Sequence, residues 1–158
     1  MEKITTRKAT LNDLDILRRF EQGVISAERP FDPTLKKGHI NYYDLEFMIA
    51  APHIELIVAE INGELFGCGY ARIETAEHFL QHERHAYLGF MYVEPKHRGK
   101  GINKVIVEAL REWSLSQNIT ELRLEVYYNN IPALNAYEKV GFIKHIIEMR
   151  MGIKGPGL

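Results

Sequence analysis

The run Val93 to Ile102, VEPKHRGKGI, constrains this chain more than any other, because an uncharged segment stops at a proline and enters a basic turn punctuated by glycine. From Ala86 to Val93 the residues AYLGFMYV carry no charge, the pattern of a strand buried on both faces. Pro95 has no N–H to give to a ladder and ends it. Val105, Ile106, Ala109, Leu110 and Trp113 then recur at helical spacing. Gly99 and Gly101, with Arg98, Lys100 and Lys104 around them, therefore stand at a helix start, where first-turn N–H groups lack intrahelical acceptors and the dipole is positive. Such a turn suits a phosphate or pyrophosphate, although ordinary strand-to-helix turns share this composition. It is not a P-loop, which needs GxxxxGK followed by Ser or Thr. It also fails the GxGxxG dinucleotide fingerprint, since Lys104 holds the last glycine position.

The chain of 158 residues is long enough to bury a core without disulfides or metal, and reads as a single domain over 1–158. Its 20 Lys plus Arg against 21 Asp plus Glu give a net charge of -1, which argues against nonspecific nucleic-acid binding. Cys68 is the only cysteine, so no intrachain disulfide forms, and MEKITTRKAT lacks the apolar core of a secretory signal. No apolar stretch approaches the roughly 18 residues of a membrane span. A cytoplasmic protein free of membrane is expected.

Residues 3–8 are β-prone, and Asn12 or Asp13 can cap a helix carrying Leu14, Ile16, Leu17, Phe20 and Val24. A connection with Pro30, Pro33 and Gly38 leads to a shorter helix through Tyr43, Leu45, Phe47, Met48 and Ile49, which ends before Pro52. Residues 54–61 and 65–74 flank Asn62–Gly63, a strong hairpin signal. The histidine-rich stretch 75–85 reads as an exposed loop. After the glycine turn and its helix, Asn118 marks a stop and 122–126 (LRLEV) a strand with Leu122, Leu124 and Val126 on one face. Asn129 and Asn130 open a helix through Tyr137 that stops at Gly141, and 142–151 forms a final strand. The order β-α-α-β-β-β-α-β-α-β describes an α/β sandwich with a mixed, mostly antiparallel sheet and helices on both faces.

Two motifs in this frame resemble the GNAT superfamily of N-acetyltransferases, which move an acetyl group from acetyl-coenzyme A to an amine. The first is the family's Arg/Gln-x-x-Gly-x-Gly/Ala turn, matched by Arg98 and Gly101 and imperfectly by Asn103. The second is NIPALNAYEKVGF, 130–142, which is similar to the family segment at Asn130, Ala133, Tyr137, Lys139, Gly141 and Phe142. The resemblance implies acetyl-CoA as cofactor, with main-chain donors over Arg98, Gly99, Lys100, Gly101, Ile102, Asn103 and Lys104 wrapping its pyrophosphate. It further implies that the strand backbone at Met91 and Val93 pairs with the pantetheine arm, that Asn130 contacts that arm, and that Tyr137 is the acid protonating the departing thiolate. An Asn at 103, where the family has Gly or Ala, should weaken this site, because its side chain must be turned away or used as a donor.

An alkylamine is mostly protonated at neutral pH and needs a base before it can attack a thioester. Glu125, mid-strand beside the implied cleft, is the first candidate, against the alternative of a solvated strand carboxylate. The tetrahedral oxyanion needs a donor, and the N–H of Tyr92 or Val93 is available. Glu28, Tyr42, Tyr43 and Asp44, in the stretch implied to wall the acceptor site, could hold a cationic amine; packing tyrosines with solvated carboxylates is the competing reading. His78, His82 and His85 fall in the loop with no carboxylate or cysteine to complete a site, so no metal is expected. Cys68 between two glycines reads as a small buried thiol and Trp113 as core packing. The leading expectation is an N-acetyltransferase acting on a small-molecule or peptide amine by direct attack in a ternary complex. A noncatalytic acyl-CoA sensor of the same fold is the alternative. The exposed ends of the sheet are compatible with a homodimer.

Overall fold

A computed structural model describes residues 2–155. The chain divides into two compact units, one built from residues up to Val24 with Asn41–Glu125, the other from Ile25–Ile40 with residues from Val126 onward. Its elements are β1 (Thr5–Lys8), α1 (Leu14–Glu28), α2 (Leu45–Ala50), β2 (Ile54–Ile61), β3 (Glu64–Thr75), β4 (Arg84–Val93), α3 (Ile102–Ser116), β5 (Leu122–Arg123) and α4 (Ile131–Lys139).

The first unit holds the sheet, in the order β1-β2-β3-β4-β5. Its first three pairings are antiparallel and β4–β5 is parallel. The β2–β3 hairpin turns at Asn62 (φ 52°) and Gly63 (φ 81°), the two left-handed positions that a type I′ turn requires. One sheet face packs Leu56, Val58, Tyr70 and Phe90 against Leu17 and Phe20 of α1 and Leu45 and Met48 of α2. The other carries α3. There a Cβ on Gly67 would lie 3.2 Å from both Ile102 Cγ2 and Ile106 Cδ1, and one on Gly69 2.9 Å from Ile106 Cγ2. The helix therefore rests directly on the β3 backbone, which fixes where its N-terminus begins. Between those glycines Cys68 is fully buried, its Sγ 3.4 Å from the Phe90 carbonyl, and burial pushes its thiol pKa well up.

The first helix begins differently from the expectation. Thr10, not Asn12 or Asp13, is the capping position, a 3-10 turn covers Leu11–Asp13, and the Thr10 N–H donates to Asp13 Oδ2 at 2.8 Å. Asp13 also receives Arg7 through two bonds of 2.8 and 2.9 Å, and this arginine above all holds its carboxyl below the usual 3.8, with burial opposing. A depressed folded-state pKa means stability present above pH 3.8 and lost as pH falls through the folded value. Asp13→Asn is expected to cost about 2 kcal/mol at pH 7, a deficit that shrinks in urea titrations repeated below pH 3.8.

Three other expectations need correction. The strand expected over 122–126 pairs at only two residues, because the β4–β5 ladder stops at Tyr87↔Arg123. His85 belongs to β4 and is buried, leaving a shorter loop. The final strand over 142–151 does not form: among the described residues no ladder includes it, and Ile143, Ile147 and Met149 are 86%, 78% and 89% exposed. High β-propensity expresses fit to a pleated, half-covered surface, and this segment has neither partner strand nor cover.

In the second unit that segment is tied by polar contacts instead. Arg150 donates to Asp32 Oδ1 and to Thr34 Oγ1, both at 3.2 Å, and Lys144 pairs with Glu138 at 3.5 Å. Phe31 and Tyr127 stack with centroids 5.5 Å apart. Asn130 caps α4 by accepting the Ala133 N–H at 3.3 Å, and Gly141, at φ 111°, ends it.

Candidate active site

β4 is irregular where it matters. Phe90 and Met91 together oppose Gly69, a β-bulge, and Phe90 takes a positive φ of 52° that a bulky side chain rarely adopts. Beyond it Tyr92↔Cys68 and Val93↔Gly67 pair again, and the Glu94 N–H donates to the Phe66 carbonyl at 2.8 Å. Antiparallel ladders alternate, so the Tyr92 N–H also faces β3 whereas that of Val93 faces the opposite edge. Of the two oxyanion donors expected, Tyr92 is thus committed to the sheet, and its ring is buried against Phe20 at 5.0 Å. Val93 is directed outward. Because β5 leaves β4 after Tyr87, no described strand pairs with the outer edge from Leu88 to Val93.

That open edge runs straight into the glycine turn. A 3-10 turn, Pro95–His97, is braced by stacking of His97 on Phe66, with centroids 3.8 Å apart, and by Arg19 to Glu94 at 2.8 Å. Arg98 Nε folds back on the Val93 carbonyl at 3.2 Å, and Lys100 Nζ lies 3.3 Å from His97 Nδ1. Gly99 (φ 78°) and Gly101 (φ 83°) are left-handed, and a Cβ at either would meet nothing within 4 Å. Conformation, not crowding, requires glycine here, and the main chain stays open to an incoming group. The Ile102, Asn103 and Lys104 N–H groups precede the bond from Val105 N–H to the Gly101 carbonyl at 3.2 Å. Ile102 can contribute only its backbone, since its side chain is core; Asn103 is half-buried and Lys104 exposed.

Glu125 is exposed, and its charge acts on the Tyr87 hydroxyl. Burial first, then the Glu125 charge, pushes the Tyr87 pKa far up, and burial likewise raises that of Tyr70. Arg72 lies over both rings, 5.5 Å from the Tyr70 centroid and 5.3 Å from that of Tyr87. Tyr43 stacks on Phe90 at 4.5 Å and meets Tyr70 edge-on at 6.1 Å. Buried Glu21 sets this wall by accepting the N–H groups of Tyr42 and Tyr43, each at 2.8 Å. Asp44 caps α2, its Oδ1 accepting the Phe47 N–H at 3.1 Å. Tyr70, Tyr87, Arg72 and Phe90 were missed by sequence reasoning. Strand alternation could not have pointed to Phe90, because it sets Phe90 opposite to Gly89, the register partner of Tyr70, and only the bulge turns it back.

In the second unit, half-buried Tyr137 meets the Phe142 ring edge-on at 5.9 Å. Burial, and after it the charge of Glu28, pushes its pKa up to about 12, so it keeps its proton at any working pH. Asn130, expected to contact pantetheine, spends its side-chain oxygen on the α4 cap, leaving the amide NH₂ as the group it can offer. The pair Glu28–Tyr137 was not anticipated.

Comparison with known proteins bears on these units. A family model described as the acetyltransferase (GNAT) family matches residues 21–142. Streptothricin acetyltransferase of Escherichia coli is 40% identical over 57 residues, 36% of this chain and 33% of that protein. N-alpha-acetyltransferase 30 of Saccharomyces cerevisiae is 27% identical over 135 residues, 83% of this chain and 74% of that one. Among solved structures, a predicted acetyltransferase with acetyl-CoA from Clostridium acetobutylicum superposes with a TM-score of 0.71 at 19% identity, covering 96% of this chain and 97% of its own. No helix among the described residues is long and apolar enough to cross a membrane.

Proposed function

The chain belongs to the acetyltransferase (GNAT) family, and from that premise we propose that it acts, as one domain over 1–158, to transfer the acetyl group of acetyl-CoA to a primary amine of a small molecule or peptide within a ternary complex. The observation that carries this is the unpaired outer edge of β4, Leu88–Val93, leading into the open turn Arg98–Lys104. An extended amide-bearing arm can pair with such an edge, and a pyrophosphate with the helix start beyond it. Acetyl-CoA supplies the activated thioester.

The chain's own residues do the rest. Glu125, whose charge acts on Tyr87, takes the amine proton, directly or through water. The outward Val93 N–H donates to the acetyl oxygen as it gains charge. Tyr137 gives its proton to the departing sulfur. Tyr42, Tyr43 and Glu28 offer aromatic faces and charge to a cationic acceptor.

Release of free CoA thiol from acetyl-CoA across a panel of amines and peptides tests the proposal; thermal stabilisation by acetyl-CoA with no turnover on any acceptor would instead favour a sensor. Glu125→Gln is expected to lower kcat/KM about tenfold, the modest end for a general base, because an exposed carboxylate is partly replaced by solvent; an unaltered pH profile would remove it from the mechanism. Asn103→Gly should leave acetyl-CoA affinity equal or tighter by calorimetry, at about 0.3–0.5 kcal/mol of helix stability. A large loss of affinity would make the amide a phosphate donor.

A further inference from the structure

The fold brings together side chains that the sequence separates. The main chain at Glu121 is fixed beside the start of β4, where the Ala86 N–H donates to its carbonyl at 3.0 Å. Its carboxylate contacts His82 Nε2, and one ligand atom from each of His82, His85 and Glu121 lies within 4.8 Å of the others. His78 stands apart, edge-on to Phe79 at 5.3 Å.

A second observation bears on His85. Its side chain is only 9% exposed, and its Nε2 lies 3.2 Å from Glu74 Oε1, yet its buried Nδ1 has no hydrogen-bond partner among the described residues. Burying an unpaired polar nitrogen is costly. If Nε2–H is donated to Glu74, Nδ1 presents a lone pair, and carboxylate, imidazole and metal is the usual arrangement of a protein metal ligand with its supporting partner. An ion-pair cluster of Arg123, Glu121 and His82 explains the contacts of those three but leaves the nitrogen orphaned.

We propose that His82, His85 and Glu121 form a binding site for a divalent transition metal of the zinc class, tying the loop between β3 and β4 to the start of β5. Two imidazoles and a carboxylate are a borderline nitrogen and oxygen donor set suited to Zn²⁺ or Ni²⁺ and unsuited to Mg²⁺ or Ca²⁺, which take oxygen ligands. Tetrahedral Zn²⁺ with bonds of about 2.0–2.1 Å wants its ligands about 3.4 Å apart, so the His82–Glu121 contact must open to admit the ion between them. His82 and Glu121 side chains, 27% and 41% exposed, have room to do so, and water can fill the fourth position. One group stands against the metal: Arg123 Nη2 lies 3.2 Å from Glu121 Oε2 and 3.4 Å from His82 Nε2. At 39% exposure that side chain can swing out, so cation and guanidinium compete for the same ligands.

The test uses the full chain after chelation, titrated with ZnCl₂ or MgCl₂ and followed by calorimetry and thermal unfolding. One Zn²⁺ per chain, a rise in Tm with Zn²⁺ only, loss of both in His82→Ala and in Glu121→Gln, and about tenfold tighter binding in Arg123→Gln are expected. Absence of Zn²⁺ binding, binding that survives both His82→Ala and Glu121→Gln and so belongs to other histidines, or weaker binding in Arg123→Gln would overturn the site. The substituted residues are partly exposed, and apo-protein Tm values establish that each variant folds.

Discussion

Tyr137→Phe is expected to lower kcat about 100-fold while leaving acetyl-CoA affinity and Tm nearly unchanged. The substitution removes one oxygen and keeps the ring that meets Phe142 edge-on at 5.9 Å, so packing is preserved and the proton is what is lost. The role proposed for Tyr137 is to give that proton to the thiolate as the tetrahedral intermediate collapses. With its pKa pushed up to about 12 by burial and then by Glu28, Tyr137 holds it throughout the range in which enzymes are assayed. The sign carries over to stability. A folded-state pKa raised above the ordinary 10.0 gives stabilisation that is complete below pH 10 and is lost as pH rises towards 12. The phenylalanine variant should therefore lose less stability than the parent in alkaline unfolding. Steady-state thiol release gives kcat directly, and a normal value in Tyr137→Phe would end the acid role even if the alkaline stability changed as expected.

Gly67→Val should have the largest effect on the fold, about 3 kcal/mol, at the upper end for overpacking. A Cβ there would sit 2.7 Å from the Tyr92 carbonyl oxygen, a backbone atom that cannot turn aside, and 3.2 Å from Ile102 and Ile106. Relief requires both shifting β3 against β4 and lifting α3 off the sheet, and the start of α3 is the end of the glycine turn. Acetyl-CoA affinity of the folded fraction should accordingly weaken about tenfold or more, a loss of roughly 1.4 kcal/mol. Gly67→Ala should show both effects at smaller size. Urea unfolding and calorimetry on the same samples separate them, and wild-type affinity in a destabilised variant would show that the turn does not depend on α3 seating.

How far the sequence is legible depends on whether a feature is encoded locally. Asn62–Gly63 specify their turn because both residues tolerate the left-handed φ that the hairpin demands, and Gly99 and Gly101 announce theirs for the same reason. Asn130 and Gly141 bracket α4 as expected, since caps are chosen by neighbours two or three residues away. Pairing partners are not local. Residues 142–151 have a strand's composition but no ladder, and 122–126 pair at two residues only, outcomes that alternation cannot express. The bulge at Phe90 was hidden because a positive φ on phenylalanine has no residue signature. Tyr87 beside Glu125 and Glu121 beside His82 join residues far apart in sequence, so no motif could have linked them.

The buried sulfur of Cys68 turns the protein into its own clock. It is the only thiol in the chain, and in the folded state it is closed to solvent and held protonated by burial, so reagents that trap thiolate see none of it. Any slow labelling then counts openings of the β2–β3–β4 centre, slowed about tenfold for every ~1.4 kcal/mol of opening free energy when reclosing is fast. A ligand that binds only the folded chain will lengthen that interval by a factor of one plus the ratio of its free concentration to its Kd, whether or not any acetyl group is transferred.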